Sequence, residues 1–102
     1  MTRARLPNRR ASSFHEFDHE NVHYVGSVSR FRDGRIAEVF LSGGKLNTQA
    51  DILARDSAIA ASLAFQHGCS SSDLRDALTR QGDGSGAGPL ARFLDLIGEE
   101  GR

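Results

Sequence analysis

Three histidines, His15, His19 and His23, fall four residues apart among Glu16, Asp18 and Glu20, a residue mixture that can hold a divalent metal. Four-residue spacing gathers imidazoles on a helix, but this segment reads as strand, turn, strand, where His15 and His23 meet only in one hairpin register. Solvated turn histidines are therefore the expectation, with no metal bound. A second candidate is Ser42-Gly43-Gly44-Lys45, which ends a strand and leads into a helix. Amides at Gly43 and Gly44 with the Lys45 cation would surround an anion such as a nucleotide phosphate, the alternative being a turn that only reverses the chain. The run 82–88 has the glycine density of a phosphate loop. It follows a helix instead of a strand and lacks a Gly-Lys-Ser/Thr ending, so it reads as a flexible linker.

The remaining reactive side chains stand apart. Cys69 has no second cysteine, and its neighbour His67 points elsewhere in most chain geometries, so it reads as a packed thiol. Asp56 falls on the same helical row as Ile52, Ile59 and Leu63, where a position at the edge of the row, reaching water, is expected. Arg55 is expected in water or in a loose pair with Asp51 one turn back. Arg3, Arg5, Arg9 and Arg10 stand with no acidic residue near them and form a candidate grip for nucleic-acid phosphates, weighed against a mobile basic leader. There is no Gly-x-Ser-x-Gly elbow and no His-Glu-x-x-His helix, so no catalytic residue, metal or cofactor is assigned.

The elements that must position these groups are a sheet and then helices. Residues 11–17 form a first strand, and Asp18-His19-Glu20-Asn21 a polar turn into a second. Asp33-Gly34 between two apolar runs signals a two-residue hairpin turn. Closed there, the hairpin pairs Phe31 with Ile36, Ser29 with Glu38 and Ser27 with Phe40 on one face, and Val28 with Val39 and Gly26 with Leu41 on the other. The face with Tyr24, Val28, Val39 and Leu41 is expected to receive the helices. Val25, Phe31, Ile36 and Phe40 are then left for a second subunit to cover. Thr48 with Asp51, and Ser70 with Asp73, are helix-start signals. The first helix is expected to bury Ile52, Ile59, Ala60, Leu63 and Ala64 and to stop at Gly68, and the second carries Leu74, Ala77 and Leu78. Pro89 opens a last helix with Leu90, Phe93, Leu94 and Ile97 as its apolar stripe.

The expected fold class is thus α+β: a small antiparallel sheet of about three strands, then two to three helices packed on one face. The expected division is a basic leader at 1–13, an α+β domain at 14–80, a Gly-rich linker at 81–88 and an amphipathic helix with tail at 89–102. With 102 residues, 13 Lys plus Arg against 13 Asp plus Glu and one cysteine, the chain reads as one small, electrically balanced domain of a reducing compartment. Neither a signal-peptide core nor a membrane-spanning run is present in the sequence, and a cytoplasmic protein that forms a homodimer is expected.

On residues 24–31, the turn Asp33-Gly34, residues 36–41, Gly44-Lys45 and residues 58–68, the chain resembles the TSCPD domain. This module closes some ribonucleotide reductases, including adenosylcobalamin-dependent ones, and also occurs as short free-standing proteins. The similarity runs over residues 6–78. Leu6-Pro7-Asn8-Arg9-Arg10 and Gly88-Pro89-Leu90 look like the free-standing bacterial members. Cysteines that reductase-fused members carry before the helix are replaced here by Leu46, Asn47 and Thr48, so a thiol or zinc role does not carry over. The resemblance implies a non-catalytic accessory or interaction module linked to deoxyribonucleotide synthesis, with a ribonucleotide reductase subunit as partner. The alternative is a small nucleotide- or nucleic-acid-binding regulator using Gly43, Gly44 and Lys45 or the leader arginines.

Overall fold

The computed structural model describes residues 12–100, in which a three-stranded antiparallel sheet is followed by three helices, the α+β arrangement expected from the sequence. Strands β1 (Ser12–His19), β2 (Val22–Arg30) and β3 (Ile36–Gly43) lie in the order β1-β2-β3. Helices α1 (Gln49–Gln66), α2 (Ser71–Ala77) and α3 (Pro89–Glu100) come after them. Arg3, Arg5, Arg9 and Arg10 lie outside the described residues.

Turn chemistry sets the strand ends. Glu20 and Asn21 both have positive φ, 53° and 62°, as a two-residue type I′ connection needs. Strand β1 therefore runs to His19, with Asp18 opposite His23 and His19 opposite Val22, instead of turning from Asp18. The second hairpin departs from the two-residue turn. Only Gly34 in that loop has positive φ, 94°, and Phe31 N–H donates to the Arg35 carbonyl, so Arg32-Asp33-Gly34 is a three-residue loop. Asp33 steadies it by accepting from the Arg35 amide and Nε. Register then shifts: Ser29 stays opposite Glu38, but Arg30, not Phe31, faces Ile36. Ala37 is the extra residue of a bulge, and the bulge turns Ile36 into the core, away from the outer face expected for it.

Tyr24, Val28, Val39 and Leu41 form the covered face, as their alternation predicts. Helix α3 lays Leu90, Phe93, Leu94 and Ile97 on it. The Phe93 ring stacks on Phe17 with centroids 5.9 Å apart and passes so close to Gly26 that an added Cβ would lie 2.6 Å from it. Helix α1 corrects the predicted stripe. Its buried residues are Asp51, Ala54, Ala58, Ala61, Ser62, Phe65 and Gln66, while Ile52, Ile59 and Leu63 face outward.

The reason is the place of α1 beside β3, the border strand. Small alanines let the helix approach, and its polar row then serves the strand's outer backbone. Ser62 Oγ accepts from the Val39 amide and donates to the Val39 carbonyl, each at 2.9 Å. Gln66 Nε2 donates to the Ala37 carbonyl at 3.0 Å. A buried strand edge left without such partners would carry a desolvation cost at every amide and carbonyl.

The glycine-rich segment closes a miniature hairpin in place of the expected loose linker. Arg80 bridges to Gly86, Gln81 N–H donates to the Ser85 carbonyl and Ala87 N–H to the Thr79 carbonyl. Arg80 Nη1 reaches both Asp95 oxygens at 2.7 and 2.8 Å, and Gly86 N–H donates to Asp95 Oδ2 at 3.1 Å. His19 Nε2 donates to the Ala87 carbonyl at 2.9 Å. These bonds tie the loop to β1 and α3, so α3 shares one core with the sheet.

Candidate docking surface

The face of the sheet opposite α3 is built by strand alternation. Phe14, Ser27 and Phe40 lie in one row across the three strands, and Glu16, Val25 and Ser42 in the next. Phe14 is 75% exposed and Phe40 45%. Beside Phe40, the outward row of α1 presents Ile52, Ile59 and Leu63 at 41%, 58% and 40% exposure. A groove of about 430 Å³ joins the two elements, with Phe40 on the strand side and Ile59 and Leu63 on the helix side. Arg55 stands over Phe40, with its guanidinium 5.6 Å from the ring centre and Nε held by both Asp51 oxygens.

The same face carries a charged clasp. His23 Nδ1 donates to Asp18 at 2.7 Å and Nε2 to Glu16 at 2.9 Å. Both ring nitrogens face carboxylates, and the hydrogen bond to Glu16, then that to Asp18, raises the His23 pKa above the ordinary 6.5. His15 and His19 point to the other side, where His15 meets the edge of Phe93. In the observed register His15 is opposite Gly26, so the three histidines do not converge. Among the described residues no cluster of His, Cys, Asp or Glu has the arrangement of a metal site.

The loop at Gly43 and Gly44 folds around an anion of its own. Asp51, 2% exposed, accepts from the Gly43 amide at 3.2 Å and the Asn47 amide at 3.0 Å. The Asn47 amide bond, with help from Arg55 and Gly43, holds this carboxyl below its ordinary pKa despite desolvation. Gly44 N–H donates to the His23 carbonyl, and Lys45 is exposed. Both glycine amides expected to meet a ligand are thus bonded within the chain.

His67 Nδ1 donates to the Leu63 carbonyl, and Cys69 Sγ lies 3.5 Å from the Ser70 carbonyl, so the two do not form a nucleophile and base. Asp56 reaches water, as expected. Sequence reasoning missed Ser62 and Gln66. Their signal was a polar pair four residues apart, directly beside an alanine row, which marks a helix meeting backbone as well as side chains. No helix among the described residues is long and apolar enough to cross a membrane. Compared with family models, curated proteins and solved structures, the chain matches none.

Proposed function

We propose that this chain is a non-catalytic docking module whose outer sheet face and outward α1 row bind a second copy of the chain. In line with the TSCPD resemblance, the partner of that dimer is a ribonucleotide reductase subunit. The observation that supports the reading best is the inverted helix: α1 hides alanines and exposes Ile52, Ile59 and Leu63 next to Phe40. A helix facing only water would carry polar residues there, since each large apolar side chain left exposed forfeits about 1.5–3 kcal/mol of burial. The row lies next to Phe40 on the sheet face, so both could be covered by one partner surface.

Sedimentation equilibrium at micromolar concentration tests it. The parent protein should show the mass of a dimer. Ile59→Glu should give a monomer with an unchanged circular dichroism spectrum, because Ile59 contributes little to the core. A monomeric parent would overturn self-association. Affinity capture with the native reductase subunits tests the partner, and recovery of none of them would remove that part of the reading.

A further inference from the structure

On the helix side of the sheet, away from the docking surface, β2, β3, α2 and α3 line an open cleft of about 190 Å³. Its polar lining is Arg30, Arg75, Ser71 and Ser72, and its apolar wall is Ile36, Leu94 and Ile97. We propose that this cleft binds an organic phosphomonoester, with the phosphate on the two arginines and the serine hydroxyls and the carbon portion against the apolar wall. The site stands apart from the docking reading, because none of its residues lies on the outer face.

The open guanidinium donors carry the inference. Two guanidinium groups share the lining, and no carboxylate is part of it. Arg75 Nε keeps loose ion pairs with Asp95 at 3.9 Å and Asp76 at 4.0 Å but makes no hydrogen bond to either, because Asp95 is turned to Arg80 at 2.7 Å, so its guanidinium donors stay open toward the cleft. Arg30 donates from Nη1 to the Gly34 carbonyl at 2.9 Å, and the rest of its planar fork has no partner among the described residues. An anion in the cleft would take up these open guanidinium donors.

The planar guanidinium fork fits phosphate oxygens two at a time, and a phosphomonoester carries a charge of about −1.5 to −2 at neutral pH. Size limits the ligand as well. The cleft is smaller than the roughly 300–1,000 Å³ that encloses a whole drug-sized molecule, so it takes a phosphate with a short carbon body.

Gly98 supplies a test within the fold. A Cβ there would stand 2.9 Å from Arg75 Nη1, the free end of a flexible side chain. Gly98→Ala therefore displaces the guanidinium while leaving its charge and favouring the helix. The experiment titrates the full chain with inorganic phosphate and with phenyl phosphate at constant ionic strength, read by calorimetry and by thermal midpoint against a chloride control. Phenyl phosphate is expected to bind the parent more tightly than inorganic phosphate. Arg75→Gln should weaken both at least tenfold, Gly98→Ala should weaken both with an unchanged circular dichroism spectrum, and Arg32→Gln, outside the cleft, should bind as the parent does.

No binding by the parent, or parent-like affinity in both Arg75→Gln and Gly98→Ala, would overturn the proposal. Equal affinity of the parent for the two probes would overturn the choice of an organic phosphate over the free ion. If Arg75→Gln does not fold, Gly98→Ala alone decides, with parent-like affinity overturning the site.

Discussion

A single hydroxyl does the work of a neighbouring strand at Val39. Ser62 both receives the Val39 amide and donates to its carbonyl, so Ser62→Ala strands a buried donor and a buried acceptor together. The expected loss is roughly 2–3 kcal/mol, since each unsatisfied buried group costs about 1–3 kcal/mol and water recovers part of it. Urea denaturation of the variant measures it, and a loss below about 0.5 kcal/mol would show that water takes over both bonds. Asp51 acts at the same scale through pH. Its folded pKa lies below the ordinary 3.8, so its contribution is fully present above that value and fades as pH falls through the depressed one. The stability gap between the parent and Asp51→Asn should be wide at pH 7 and narrow toward pH 2, as followed by the urea midpoint. A gap independent of pH would mean that the carboxylate charge is not what stabilises the loop.

Among the elements, two glycines separate crowding from backbone strain. Gly26 sits in a strand at ordinary φ, but an added methyl would meet Phe93 at 2.6 Å and Leu41 at 3.0 Å. Gly34 has φ of 94° with nothing within 4 Å. Gly26→Ala should cost about 1–3 kcal/mol by forcing α3 off the sheet. Gly34→Ala should cost about 1 kcal/mol, through the strained turn alone. Thermal melts distinguish the two further: the first variant should lose near-ultraviolet dichroism from Phe17, Tyr24 and Phe93, whose rings stack in series, and the second should keep it. The same α3 packing explains why the third helix is no appendage. Phe93, Leu94 and Ile97 are among the most buried side chains of the molecule.

For the whole molecule, removal of residues 89–102 should therefore abolish cooperative unfolding instead of trimming a tail, which a melt of the truncated chain would check. A sharp transition retained near the parent midpoint would show that sheet and α1 suffice alone. The molecule has two unlike sides. One is a sheet face beside the apolar row of α1, where Glu16 and Asp18 supply charge and clasp His23. The other is closed by α3 and keeps the small arginine-lined cleft. Because Ile59 is 58% exposed and adds little to the core, Ile59→Glu should change the unfolding free energy of the single chain by no more than about 1 kcal/mol, measured by urea denaturation.

Much of this architecture is readable from neighbours along the chain. The caps at Thr48 and Ser70, the opening of α3 at Pro89, the α3 stripe and the covered face with Tyr24, Val28, Val39 and Leu41 all rest on contacts within one turn or one strand. Hairpin positions were legible for the same reason, though the number of loop residues at Asp33-Gly34 was not, because the bulge at Ala37 depends on what Ile36 finds beneath it. Tertiary structure alone decided which side of α1 is buried. Hydrophobicity favours Ile52, Ile59 and Leu63, but the helix lies against a strand edge, and there close approach and hydrogen bonding outweigh side-chain area. The bonds that decide it join Val39 to Ser62 and Ala37 to Gln66, 23 and 29 residues apart, and the cleft likewise pairs Arg30 with Arg75. A periodic pattern records how apolar a face is; only the folded chain determines what that face meets.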